Sequence, residues 1–109
     1  MISVVGIGNA ACRVVEKFST QKNYDVYFLG SEQENSKNSF KLQSFEAPEE
    51  YETNIPDLTL FFKDIKNDVQ VFIVGSSFSS NYSLGILEQI KDKNIEIFYI
   101  KPDIELLTG

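Results

Sequence analysis

Two short loops hold the residues best suited to chemistry. The first is Gly6-Ile7-Gly8-Asn9, inside the run VVGIGNAACRVVEKF from Val4 to Phe18. The second is Gly75-Ser76-Ser77-Phe78-Ser79-Ser80. Each follows an apolar, β-branched run and leads into a stretch with helical spacing. Such a turn ends at a helix N-terminus, where about half a positive charge and unpaired N–H groups favour an anion. Two converging termini suit a di- or triphosphate better than one, and serine hydroxyls add donors. The candidate phosphate-binding residues are therefore Gly6, Ile7, Gly8, Asn9, Gly75, Ser76, Ser77, Ser79 and Ser80. The competing explanation is conformational: a tight strand-to-helix turn selects glycine for its backbone freedom alone.

The elements that must position these loops follow from hydrophobic spacing. Ile2 to Val5 reads as a buried strand, and Asn9 to Ser19 as a helix with Ala11, Val14, Val15 and Phe18 on one face. Tyr24 to Leu29, closed by Gly30, reads as the second strand. A polar loop, Ser31 to Ser39, leads to a third, edge-like strand at Phe40, Leu42 and Phe45. Asn54-Ile55-Pro56-Asp57 carries the signals of a helix start, with Leu58, Phe61, Phe62 and Ile65 as the apolar face. Val69 to Val74 is the fourth strand. Asn81 caps the next helix, with Leu84, Leu87, Ile90 and also Ile86 inward, and Ile95 to Ile100 is the fifth strand. Strands that alternate with helices and are largely apolar form a parallel sheet covered on both faces. Right-handed crossovers then give an α/β, doubly wound, Rossmann-like sheet in the order 3-2-1-4-5. In such a sheet ligands bind where the order reverses, at the carboxyl ends of the first and fourth strands.

Composition removes several functions. The 109 residues make one domain by size and contain no histidine and a single cysteine, Cys12. Serine–histidine and cysteine–histidine catalysis, histidine metal sites and cysteine zinc sites are thereby excluded. Cys12 lies early in the first helix, where a thiol pKa can fall. With no base or resolving thiol it reads as structural. A net charge of −6 argues against nucleic-acid binding. The apolar runs are too short to span a bilayer. Met1 leads straight into a strand, which leaves a cytoplasmic location as the expectation. The acidic stretch from Glu46 to Glu52 reads as a solvated loop, with contact to a basic partner as its functional alternative. Asp103 and Glu105 read as loop acids; their functional alternative is contact with magnesium or a ribose.

Gly6-x-Gly8-x-x-Ala11 matches the dinucleotide fingerprint in its Gly/Ala form, and Glu32 stands where that fingerprint expects a ribose-binding acid. A Walker A sequence is absent. Neither loop holds a lysine, and Arg13 is the nearest cation.

The run VVGIGNAACRVV also resembles the first nucleotide-binding loop and helix of the tubulin/FtsZ superfamily, through Gly6, Gly8, Asn9, Ala10 and Arg13. The segment VFIVGSSFSSNYSLGILEQI stands where that family carries its glycine-rich signature loop, and IEIFYIKPD looks like the strand that follows. The resemblance implies that Gly6 and Gly8 lie against phosphate, that Asn9 lies near the sugar or base, and that Gly75 to Ser80 wrap the diphosphate. It implies GTP or GDP, with Mg2+, as ligand. In a full-length parent it implies self-association into filaments. The chain departs from the signature Gly-Gly-Gly-Thr-Gly-Ser/Thr-Gly. It keeps Gly75 and Ser80, but has Phe78 in the threonine place and Asn81 in place of the last glycine. The family's central helix and the acidic loop that completes hydrolysis have no counterpart here. The resemblance therefore implies the N-terminal part of a longer protein, or a truncated relative, and no hydrolysis by these residues alone. Two other readings stand beside it: an NAD-binding Rossmann domain using Gly6, Gly8, Ala11 and Glu32, and an interaction domain that keeps the fold without a nucleotide.

Overall fold

The apolar runs assemble into a five-stranded, all-parallel sheet in the order β3-β2-β1-β4-β5. The strands are β1 (Ile2–Ile7), β2 (Tyr24–Gly30), β3 (Ser39–Lys41), β4 (Asp68–Val74) and β5 (Asn94–Ile100). The helices are α1 (Asn9–Val15), continued by a 3-10 turn over Glu16–Phe18, and α2 (Ser77–Glu88). This computed structural model describes residues 1–43, 50, 54–74 and 77–100, with the backbone alone over 77–82. Class and strand order are those expected from the alternation of segments. Among the described residues no helix is long and apolar enough to cross a membrane.

β1 is the central strand, and its side chains alternate between two apolar layers. Val5 and Ile7 pack with Tyr27, Leu29, Leu58, Val71, Ile73 and Ile86 on one side. Val4 packs with Val15 and Val26 on the other, bordered by Phe18, Tyr24, Phe28 and Phe72. Both faces of β1 being covered explains why it reads as a nearly unbroken apolar run. Aromatic pairs extend both layers: Phe18 meets Tyr24 at 5.0 Å, and Tyr27 meets Phe61 at 5.5 Å, both edge to face. Ser3 is the polar residue of β1. It is fully buried, and its Oγ accepts the Lys66 N–H at 2.9 Å, so its burial leaves no unmet hydrogen bond.

Several boundaries differ from the sequence reading, each for a physical reason. β1 runs on through Gly6 and Ile7, because Ile7 pairs with Leu29 on one side and Ile73 on the other. α2 begins at Ser77, four residues before the expected Asn81 cap, so Ser77, Ser79 and Ser80 lie in its first turns rather than in a loop. Serine is at home in a first helical turn, and a run of it does not oblige a loop. The first helix is α-helical only as far as Val15 and then tightens.

The helix expected from Asn54 to Ile65 is absent. Residues 54–58 have no regular structure and 59–64 form turns. Pro56 disfavours the helical region for Ile55. The Asp57 carboxylate accepts both the N–H and the hydroxyl of Thr59, at 3.0 and 2.7 Å. Gln89, just beyond α2, takes the Leu58 N–H on its Oε1 and donates its Nε2 to the Pro56 carbonyl. Backbone groups that a helix would have paired are thus held by side chains. Leu58, Phe62 and Ile65 still enter the core as expected. Around the third strand, Leu42 is buried just past β3. Phe45, most of the acidic stretch, Gly75, Ser76, Asp103 and Glu105 fall outside the described residues.

Candidate nucleotide site at the β1–α1 turn

Gly8 is the hinge of the turn. Its φ of 99° and ψ of 154° lie in a region that only glycine adopts without strain. Its N–H donates to the Leu29 carbonyl at 2.7 Å and extends the β1–β2 ladder by one rung. Its carbonyl accepts the Cys12 N–H at 2.9 Å, the first bond of α1. A Cβ added at Gly8 would meet no atom of the described residues within 4 Å, so among them the turn faces open space. Lacking a side chain, Gly8 leaves α1 without a side-chain cap. Since α1 is only two turns long, its dipole adds little to an anion site.

Gly6 and Ile7 do not belong to this open turn, contrary to the sequence reading. Ile7 is a core residue. Gly6 is covered by α1: an added Cβ would sit 2.7 Å from Val15 Cγ2 and 3.1 Å from the Ala11 carbonyl oxygen. Its glycine lets helix and sheet approach, as a packing residue and not as a phosphate contact.

Asn9 reaches across to the end of β2. Its Nδ2 donates to Ser31 Oγ at 2.8 Å, and its Oδ1 accepts the Glu32 N–H at 3.0 Å. A side chain at position 30 would run into Asn9 Oδ1, so Gly30 is what admits this carboxamide. The sequence reading missed Gly30 and Ser31. The available signal was a Gly-Ser pair closing the strand that neighbours the glycine turn.

Glu32 lies beside α1, with its Oε2 3.4 Å from the Arg13 guanidinium, both side chains largely exposed. Such a surface pair contributes roughly 0–1 kcal/mol. Asn9, Arg13, Glu16, Glu32, Gln33 and Ser39 are among the residues that line an open cleft of about 290 Å³ between α1 and the β2–β3 connection. Cys12 also borders it, and its thiol bonds inward to the sheet. The thiol is buried, donates to the Leu29 and Gly6 carbonyls at 3.4 and 3.6 Å, and is pushed by burial up to about 11. A thiol held neutral this way is a packing group and not a nucleophile, in line with the structural role expected for it.

The second candidate loop lies at the same sheet edge. The pairing of Ile7 with Ile73 sets Gly8 level with Val74, three residues before α2 begins. Gly75 and Ser76, which join them, lie outside the described residues. Among the described residues no group of three or more acidic, cysteine or histidine side chains is placed to hold a metal. No protein-family model matches this chain, and neither a curated protein nor a solved structure matches it.

Proposed function

We propose that this chain binds a nucleotide through its diphosphate at the Gly8 turn, with GTP or GDP as the ligand and Mg2+ accompanying the phosphates. The observation that supports this reading is Gly8 itself. It holds a glycine-only conformation at the reversal point of a 3-2-1-4-5 parallel sheet and faces space that no side chain of the described residues fills. A phosphate needs that close approach to backbone. Guanine is preferred over adenine on the tubulin/FtsZ resemblance of residues 4–15. In a longer parent the same reading extends to nucleotide-dependent filament assembly, with hydrolysis completed by regions beyond these residues.

A second reading draws on the cleft between α1 and β2. Glu32, next to Asn9 and Arg13, stands where a dinucleotide ribose would be held, which favours NAD. Calorimetric titration of the chain with GTP, GDP, ATP and NAD, each with magnesium, separates the readings. Saturable GDP or GTP binding that Gly8→Val abolishes, in a variant that stays folded, is the expected result. A preference for NAD selects the ribose-acid reading. No binding of any of them leaves a domain that keeps the turn for its fold and works through protein contacts.

A further inference from the structure

Three hydrogen bonds strap the β1–α1 turn to the end of β2. The Gly8 N–H donates to the Leu29 carbonyl, Asn9 Nδ2 donates to Ser31 Oγ, and the Glu32 N–H donates to Asn9 Oδ1. Two of the three pass through one carboxamide, which joins residues more than twenty positions apart. Both ends of that carboxamide are engaged by the protein itself. The absence of a side chain at Gly30 makes the arrangement sterically allowed.

We infer that Asn9 is a positioning residue: it latches the Gly8 turn to β2 in its ligand-ready form and does not itself grip the ligand. The inference rests on the nucleotide reading above and revises the contact with sugar or base that the family resemblance implies for Asn9. A latch acts on the fraction of molecules whose turn is competent. Apparent affinity scales with that fraction, so losing the latch slows association and leaves dissociation alone. A residue that touches the ligand does the opposite, because lost contacts appear mainly as faster dissociation.

The test uses a fluorescent GDP analogue in stopped flow, with amide hydrogen exchange on the ligand-free proteins. Asn9→Ala is expected to speed exchange of the Glu32 amide roughly tenfold, the upper range for one hydrogen bond. It is expected to slow association by a similar factor, with dissociation within about twofold and exchange of the Val5 amide unchanged. Gly30→Ala is expected to do the same with Asn9 intact, since its Cβ takes the place of Asn9 Oδ1. Asn9→Asp keeps an acceptor for the Glu32 N–H, and the Ser31 hydroxyl can turn to donate to it. Exchange at Glu32 then stays within about twofold of wild type while the added charge weakens phosphate binding. Three results overturn the latch: unchanged Glu32 exchange in Asn9→Ala, a loss of affinity carried by dissociation, or equally faster exchange at Val5. A wild-type protein that binds no analogue removes the nucleotide reading and the positioning role that rests on it. Exchange then still shows whether Asn9 holds the turn as a purely structural strap.

Discussion

Gly6 and Gly8 stand two positions apart in one motif and meet different surroundings. Gly6 is paired on both sides within the sheet, with α1 lying directly over it. Gly8 lies just past the end of β1, holds a positive φ and faces open space among the described residues. At Gly6 the missing side chain is a matter of volume; at Gly8 it is a matter of backbone conformation. A fingerprint that records only two glycines merges a packing requirement with a backbone-conformation requirement. Only the second bears on the proposed function.

The largest expected effect breaks the packed half. Gly6→Val puts a Cβ against Val15 and the Ala11 carbonyl, then adds two methyls beside them. Overpacking of this kind costs about 3 kcal/mol, at the upper end of its usual range, because the neighbour on one side is backbone. Urea denaturation measures it. A loss below about 1 kcal/mol would mean α1 lifts off the sheet easily and Gly6 is not its seat.

The next effect strains the open half. Gly8→Ala meets no atom of the described residues, so the expected cost is conformational, about 1–2 kcal/mol. The same urea experiment is expected to show a lower midpoint with an unchanged slope. If Gly8→Ala were as stable as wild type, the turn would be adopting another conformation in solution. The argument for phosphate approach at this residue would fall with it.

The sheet was legible in the sequence because strand register is written locally. Apolar runs at Ile2, Tyr24, Val69 and Ile95, separated by helical spacing, leave one parallel order once crossovers are right-handed. What stayed hidden depends on residues far apart in the chain. The stretch from Asn54 to Ile65 has helical spacing and start signals, yet Gln89 claims the backbone groups of Pro56 and Leu58 from more than thirty positions away. At the candidate site, the tight turn at Gly8 was legible from its motif. The removal of Gly6 and Ile7 from it was not, since only the strands on either side reveal that β1 continues through both. The engagement of Asn9 was hidden for the same reason: its partners belong to the next strand's end.

The smallest effect tests how completely α1 seals the packed half. Burial raises the Cys12 thiol from its ordinary 9.0 to about 11, opposed by its bond to the Leu29 carbonyl. Between those values the unfolded chain gives up the thiol proton and the folded one keeps it. The folded state then binds more protons, and stability falls as pH rises. The contribution is whole below pH 9 and is lost on the way to pH 11. Burial, with the carboxylates of Asp25 and Asp64, likewise holds Tyr27 above its ordinary 10.0, so its share of the alkaline loss starts later. Urea midpoints for wild type are therefore expected to be level at pH 7 and 8 and to decline at pH 9 and 10, while those of Cys12→Ala stay nearly level until Tyr27 takes over. Parallel curves for the two proteins would mean water reaches the thiol beneath α1. The packed half would then be as open as the Gly8 half, and the difference between the two glycines would rest on backbone conformation alone.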